Sequence, residues 1–210
     1  KIALTLHEML AVCMADGQMV RKGSRDLCRV ATPIDCHRCF PDLRPEFFVL
    51  RAARLRAALD DCDIYFFPTE FLADRYKAWG LDAARCHVVP NGQMHPAPET
   101  GRDHHSPDIN RFGYFGQFID NKGIDVVLEA LRLIAQHNQI PNEGIEFVIN
   151  GGNRHYATAE YLARVDSLIE EITTLSGGAI RIREAGRYAR DELGDRMAAI
   201  DWVVVPSTWW

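Results

Sequence analysis

The second half of the chain alternates short apolar runs with amphipathic segments. From Arg111 onward, this pattern predicts four strands separated by three helices, in strict strand–helix order. Such alternation builds right-handed βαβ units, so it predicts a parallel sheet with its ligand-binding loops at the carboxyl ends of the strands. The second and fourth strands are largely continuous apolar runs, which indicates that they are covered on both faces. The predicted elements are strands 111–115, 145–149, 179–183 and 202–205, and helices 124–137, 156–174 and 190–199.

The first half of the chain also contains predicted strands and helices. They flank one segment whose apolar residues follow no regular period. Strands are predicted at 1–6, 63–67 and 86–90, a helix at 46–59, and another that begins after the N-cap residue Thr69 and ends at Gly80. Residues 8–45 are interpreted as an ordered insertion or a flexible loop. Residues 91–110 contain three prolines and three histidines, the composition of a linker. The predicted domains are therefore 1–92, with a Cys-rich insertion at about 8–45, and 111–210, joined by a linker at 93–110.

Composition and charge narrow the class of protein. The 210 residues are 47% hydrophobic and 25% charged, as in ordinary globular proteins. The formal net charge of -5 argues against a broad basic surface, so no nucleic-acid partner is expected. No apolar run approaches the roughly 20 residues of a membrane span, and the first residues do not resemble a signal peptide. A cytoplasmic location with reduced cysteines is the resulting expectation.

An anion-binding signal follows the strand predicted at 111–115. Gly116 comes directly after that strand, and Lys122 and Gly123 stand immediately before the next helix. A glycine allows close backbone approach, and the start of a helix offers unpaired N–H groups at the positive end of its dipole. Lys122 adds a full positive charge. The sequence therefore predicts a phosphate site here, although the same residues also fit an exposed turn before a helix.

Six segments, this one included, resemble family 4 glycosyltransferases of the GT-B fold in their order and spacing. Residues 112–131 look like the segment of that family that binds the donor phosphates. The resemblance covers nearly the whole chain and implies two Rossmann-like α/β domains with parallel sheets, each incomplete in what we expect to be a central fragment. The six segments are LTLHE, VVPNG, FGYFGQFIDNKGIDVVLEAL, FVINGG, EAGRYARDEL and WVVVPSTWW.

The resemblance also implies roles for residues on the donor side. Gly116 and Lys122 would hold the donor pyrophosphate, and Gly151 would permit close approach of the nucleotide. Arg187 and Tyr188 belong to the loop that would contact the base, largely through backbone groups.

Two further residues complete the set of candidates. Gln117 stands where the family usually has an arginine, and a neutral amide can hydrogen-bond to phosphate but cannot neutralise it. Lys122 must then neutralise more of the phosphate charge, or the affinity for the donor is reduced. His7, which follows the first predicted strand, would contact the transferring sugar and is the candidate catalytic residue, with a purely structural histidine as the alternative. The family's paired-glutamate segment is expected beyond Trp210, so this chain alone is expected to be inactive.

The activity that the resemblance implies is hexosyl transfer with retention, from a UDP- or GDP-sugar to a glycan or lipid-linked acceptor in polysaccharide biosynthesis. No cofactor is expected for catalysis, since positive groups replace a divalent ion in GT-B enzymes, and the one Asp-x-Asp, at 61–63, precedes a strand instead of following it. Peripheral association with the inner face of a membrane fits this activity. The alternatives are a GT-B nucleotide-sugar epimerase and a non-catalytic, metal-stabilised binding module. A redox dinucleotide enzyme is disfavoured by the absence of a G-x-G-x-x-G turn.

Four of the six cysteines lie in the segment at 8–45. Cys13, Cys28, Cys36 and Cys39 have the spacing C-x14-C-x7-C-x2-C, and the closing C-x2-C pair is typical of tetrahedral metal sites. The segment has too few apolar residues for a core of its own, so a structural zinc would organise it by coupling metal binding to folding. Four reduced thiols in a loose loop are the alternative. Iron, or a histidine such as His7 or His37 in place of one cysteine, also remains open.

Overall fold

The computed structural model describes residues 1–92 and 110–209. They belong to two compact units, each built on its own parallel β-sheet. The predicted linker lies outside the described residues except for Asn110, which begins a strand instead. Within the described part of the chain, no helix has the length and apolarity needed to cross a membrane.

The first unit contains three strands and three α-helices. In chain order they are β1 (Ala3–Thr5), α1 (Pro33–Cys39), α2 (Pro45–Asp60), β2 (Ile64–Phe67), α3 (Glu70–Trp79) and β3 (Cys86–Val88). The strands are parallel and lie in the order β1-β2-β3. As predicted, the Thr69 side chain caps α3 by accepting a hydrogen bond from Leu72 N at 3.2 Å, and Gly80 ends it at a φ of 114°.

Residues 8–45 pack into the core of the first unit. Val20 and Leu27 form an antiparallel bridge, and α1 begins after Thr32, whose hydroxyl accepts a hydrogen bond from Asp35 N at 3.1 Å. This packing does not fit the flexible-loop interpretation, because apolar residues without a regular period still reach the core through turns. The buried side chains that the segment contributes are Met9, Val12, Met19 and Cys28.

The second unit contains four strands and three α-helices. In chain order they are β4 (Asn110–Phe115), α4 (Ile124–Gln136), β5 (Ile145–Asn150), α5 (Ala159–Ser176), β6 (Ile180–Gly186), α6 (Leu193–Ala198) and β7 (Trp202–Val204). The strands lie in the order β6-β5-β4-β7, and every neighbouring pair is parallel. Leu128, Phe147 and Val165 are fully buried where α4 and α5 cover the sheet. All seven predicted elements are present, with ends that differ by at most three residues.

The position of β7 in the sheet differs from the prediction. Among the described residues β7 pairs only with β4, so it is an edge strand, and Trp202 and Val203 are 63% and 48% exposed. Cover on both faces is confirmed for β5, where five of six residues are buried between two neighbouring strands. It is wrong for β7, because an apolar run alone does not distinguish a central strand from an edge strand.

Candidate functional site

The carboxyl ends of β4, β5 and β6 meet at one edge of the second unit. Gly116 N donates a hydrogen bond to Asn150 O at 3.0 Å, and Gly151 N donates to the last carbonyl of β6 at 2.9 Å. Beyond the strands, Phe118 N donates to Gly152 O at 3.0 Å. The three strand-end loops are therefore joined through main-chain atoms, as expected for the ligand-binding edge of a parallel sheet.

Gly151 and Gly152 lie where no side chain fits. A Cβ at Gly151 would collide with the carbonyl oxygen of Gly116, and a Cβ at Gly152 would collide with the side chain of Arg187. The family resemblance implies that Gly151 permits close approach of a nucleotide, which stays a prediction. Contact between two neighbouring loops requires a glycine here, because only a residue without Cβ lets these backbones approach.

Gly116 is constrained by the buried tyrosine that precedes it. The Tyr114 hydroxyl donates to Gln117 O at 2.7 Å, and a Cβ at Gly116 would lie 2.5 Å from that hydroxyl oxygen. Burial raises the pKa of Tyr114, so the phenol remains protonated and keeps its hydrogen bond. Tyr114 thereby fixes the course of the loop, while the Gln117 side chain is exposed.

The start of α4 carries the predicted phosphate-binding residues. Asp120–Lys122 form one 3₁₀ turn, and Gly123, at a φ of 73°, connects it to the helix. A Cβ at Gly123 would collide with the carbonyl of Pro206, so the loop after β7 packs directly against this turn. Thr208 N secures the contact by donating to Asn121 O at 3.0 Å. A tight turn packed in this way holds the first N–H groups of α4 in place.

The start of α4 carries two charged residues. Lys122 is half-buried in the turn before the helix. Asp125, in the first turn of α4, is 8% exposed and forms an ion pair with Arg164 of α5, with Oδ2 and Nη2 3.6 Å apart. The carboxylate is therefore engaged by the neighbouring helix.

The loop after β6 contains the two residues predicted beside the base. The Tyr188 ring lies edge-on to Phe115, the last residue of β4, with 5.9 Å between ring centroids. Arg187 is exposed, and its side-chain carbons cover Gly152. Of the sequence-predicted donor residues, the second unit therefore brings Gly116, Gln117, Gly151, Arg187 and Tyr188 to one set of adjoining loops, with Lys122 farther along the loop between β4 and α4.

Arg196 in α6 is a residue of this site that the sequence did not reveal. Its guanidinium donates to Asn150 Oδ1 at 3.3 Å, to Ala185 O at 3.1 Å and to Arg187 O at 3.0 Å, and lies 5.4 Å from the centre of the Tyr188 ring. It therefore ties the end of β5 to the loop after β6. Its spacing of four from Glu192 indicates only a surface ion pair, so the sequence contains no signal for this role.

The candidate catalytic histidine lies in the first unit. His7 is exposed and follows β1 by two residues, at the carboxyl end of that unit's sheet. Its predicted contact with a transferring sugar stays a prediction. In the same unit, the Asp63 carboxylate accepts a hydrogen bond from Ile2 N at 2.6 Å, which gives the Asp-x-Asp at 61–63 a structural role.

The four cysteines of residues 8–45 are reduced thiols in the described structure. Cys28 donates to Val30 O at 3.3 Å, and Cys13 lies 3.9 Å from Ala15 O. No group of three or more His, Cys, Asp or Glu side chains within residues 1–92 and 110–209 is arranged to hold a metal ion. In the described structure these thiols are not arranged as a metal site. Zinc binding by them stays a prediction.

Comparison with known proteins identifies the fold. No protein-family profile matches the chain, and no curated protein does either. Among solved structures, the chain is similar to Anabaena HepE (Alr3699) in complex with UDP, with a TM-score of 0.51 and 19% identity over 79% of this chain and 44% of HepE. It is also similar to HepE in complex with UDP-glucose, with a TM-score of 0.52 and 16% identity over 81% of this chain and 48% of that one.

The chain has the fold of HepE. The predicted class, α/β with two Rossmann-like parallel-sheet domains of the GT-B type, is confirmed. The chain spans less than half the length of these structures. At identities of 16% and 19%, this likeness establishes the fold alone.

Proposed function

We propose that the chain is part of a glycosyltransferase that takes a sugar from a nucleotide-sugar donor, with a UDP-sugar favoured over a GDP-sugar. The observation that carries the proposal is the edge of the second unit, where three strand-end loops adjoin and a lysine stands before a helix start. HepE, which shares the fold, forms complexes with UDP and with UDP-glucose. The donor nucleotide would lie along these loops, its diphosphate at the start of α4.

Lys122 and α4 supply the electrostatic part of the reaction. When the bond between the anomeric carbon and the diphosphate breaks, negative charge develops on the leaving phosphate oxygens. A fixed ammonium group and the N–H groups of a helix start stabilise that charge without rearranging during the reaction. These groups take the place of a divalent ion in the proposed mechanism.

The loops after β5 and β6 supply recognition of the nucleoside. The backbone at Gly151 and Gly152 permits close approach, and Tyr188, packed on Phe115, offers a ring face or edge beside the loop. Arg196 holds this loop by three hydrogen bonds to main-chain carbonyls, which preorganises its backbone groups for the base.

The rest of the reaction follows the family resemblance. Transfer of a hexose with retention, a glycan or lipid-linked acceptor in polysaccharide biosynthesis, and a contact from His7 to the transferring sugar belong to the proposal. So do a cytoplasmic location and peripheral association with a membrane, which a lipid-linked acceptor would require.

Nucleotide binding is the direct test of this proposal. Thermal unfolding is measured with UDP, GDP and ADP and their glucose conjugates, with uridine as the control that lacks phosphates. UDP and UDP-glucose are expected to raise Tm, because a ligand at 100 times its Kd stabilises the folded state by about 2.7 kcal/mol. A response to uridine alone would contradict the phosphate assignment, and no response to any nucleotide would contradict the function.

A second prediction is that a substitution at Gln117 increases the affinity for UDP. Gln117→Arg places a cation on the exposed side of the loop after β4. It is expected to tighten UDP binding by roughly three- to tenfold, or about 1 kcal/mol, a value limited by solvent screening at an exposed position. Isothermal titration calorimetry measures the change. Gln139→Arg, which adds the same charge between α4 and β5 at the opposite end of the sheet, is the matched control, and equal gains in both variants would contradict a local contact.

A further inference from the structure

The first unit contains a cavity of about 320 Å³. Its walls come from residues 12–36, from α2 and from α3. The volume lies within the range of roughly 300–1,000 Å³ that is usual for small-molecule sites. None of the residues proposed for the donor site lines it, so the cavity is a separate candidate for binding.

The two helices each contribute one face to this cavity. In α2, Phe48, Ala52 and Arg56 follow one another at intervals of four residues. In α3, Arg75 and Trp79 have the same interval. Residues four apart lie on one side of a helix, so each set forms a continuous wall. The walls meet where the Arg56 guanidinium lies 5.5 Å from the centre of the Trp79 ring.

The charged residues that line the cavity are all cations. They are Arg29, Arg51, Arg56 and Arg75, and no Asp or Glu of residues 1–92 and 110–209 is among the lining residues. The chain as a whole is acidic, with a formal net charge of -5, so this clustering does not follow from composition. Four arginines around one cavity, without a carboxylate between them, create a positive potential that attracts an anion.

Two of these arginines are oriented by uncharged groups. Arg51 Nη1 donates to Ala11 O at 2.7 Å, and its Nη2 donates to Leu10 O at 2.6 Å. Arg56 Nε donates to Ala52 O at 3.3 Å, within its own helix. Both arginines are half-buried, and neither forms an ion pair within the described part of the chain. Carbonyl oxygens orient a guanidinium group but do not neutralise it, so a ligand anion gains from both charges.

The remaining walls of the cavity are largely apolar. Met14, Phe48 and Trp79 contribute large side chains. Val12 and Met19 also line the cavity and belong to the core of the unit. An inorganic anion would use only the arginines, whereas a ligand with an apolar part also removes apolar surface from water. The lining therefore fits an amphiphilic anion.

We infer that this cavity binds a phosphate monoester that carries an apolar substituent. The inference is independent of the proposed glycosyl transfer. A phosphate monoester carries roughly -1.5 to -2 charges at neutral pH and three strong acceptor oxygens, so it can accept hydrogen bonds from more than one guanidinium group. The same chemistry occurs in soluble alkyl and aryl phosphates and in the headgroup of a lipid phosphate.

Calorimetric titration with hexyl phosphate tests the inference. Inorganic phosphate and hexanol are the controls for the anionic and the apolar part alone. Hexyl phosphate is expected to bind at least about tenfold more tightly than inorganic phosphate, because burial of about two methylene groups is sufficient for that factor. Equal affinities for these two anions, or binding of hexanol as tight as that of hexyl phosphate, would overturn the inference.

Substitutions in α2 locate the ligand. Arg56→Gln is expected to weaken hexyl phosphate binding by about tenfold, because it removes one charged donor from the wall of the cavity. Arg54→Gln removes the same charge from an exposed position of the same helix outside the cavity, and this matched control is expected to bind as the wild type does. Circular dichroism and Tm show whether each variant is folded. Equal affinities in the two folded variants would place the ligand elsewhere.

A substitution in the apolar wall tests the second half of the assignment. Met14→Gln is expected to weaken the binding of hexyl phosphate and to leave the affinity for inorganic phosphate unchanged, since Met14 is a half-buried apolar residue of the lining. An unchanged ratio of the two affinities would contradict contact between the substituent and this wall.

Vesicles distinguish the two sources of this chemistry. Sedimentation with phosphatidylcholine vesicles is compared with and without phosphatidic acid in the bilayer. Sedimentation that requires phosphatidic acid, and that both hexyl phosphate and Arg56→Gln prevent, would assign the cavity to a lipid headgroup. Binding of hexyl phosphate without such sedimentation would assign it to a soluble phosphate ester. If neither hexyl phosphate nor phosphatidic acid binds, the inference is wrong.

Discussion

Lys122→Ala is expected to lower kcat/KM for the nucleotide-sugar donor by about 10²–10³-fold in the complete enzyme, the range seen when one fixed group is removed from a developing negative charge. Lys122 stands in the 3₁₀ turn that leads into α4, and Gly123 and Pro206 hold that turn in place. Because the turn is fixed by its backbone, truncating the side chain removes the charge while leaving the loop intact. The measurement is steady-state kinetics with UDP-glucose and other donors.

Two further variants make this result specific. Lys122→Arg keeps the charge and is expected to recover part of the activity, limited by the different shape of the guanidinium group. Lys77→Ala, which removes a lysine that pairs with Asp74 on the surface of the first unit, is expected to leave the kinetics unchanged. Wild-type kinetics in Lys122→Ala would remove Lys122 from the donor site.

Gly151→Ala is expected to abolish nucleotide binding and to lower the free energy of unfolding of the second unit by about 1–3 kcal/mol, the usual cost of overpacking. The added methyl group would collide with the carbonyl oxygen of Gly116 and separate the loops after β4 and β5. Calorimetric titration with UDP and denaturant unfolding measure the two effects separately.

The control for this substitution is a second glycine in the same unit. Gly194 lies in α6, and a Cβ there meets no atom within 4 Å. Gly194→Ala is therefore expected to bind UDP as the wild type does and to gain about 0.5–1 kcal/mol of stability, since alanine favours a helix. If Gly151→Ala binds UDP normally, the nucleotide does not lie along these loops.

The features that the sequence predicted best are determined by residues that are close together in the chain. A hydroxyl before a helix or a glycine after it determines where that helix begins and ends, as Thr69 and Gly80 do for α3. The alternation of strands and helices in the second unit specified a parallel sheet, and such a sheet gathers its strand-end loops at one edge. Gly116 was singled out from its position after a strand, whereas Gly151 and Tyr188 were proposed from the family resemblance, and their roles stay predictions.

The residues that the sequence missed act through distant partners. Arg196 contacts Asn150, 46 positions earlier, and nothing in the sequence of α6 indicates that contact. Asn150 is 1% exposed although its side chain is polar, and its Oδ1 accepts a hydrogen bond from Arg196 at 3.3 Å. The short helix α1 was missed because it lies within a segment that has no helical period, and the exposure of β7 was missed because composition does not specify position in a sheet.

The contacts between the strand-end loops also indicate how a protein with this fold can change its specificity for a ligand. The hydrogen bonds that join the loops after β4, β5 and β6 use main-chain atoms, and glycines occupy the points of closest approach. Gln117 and Arg187, by contrast, project exposed side chains from the same loops. Substitutions at Gln117 are therefore expected to change contacts with a ligand at little cost in stability, whereas Arg187 also packs on Gly152 and Gly151 has no room for a Cβ. Tolerance to substitution thus differs sharply between neighbouring positions of one loop edge.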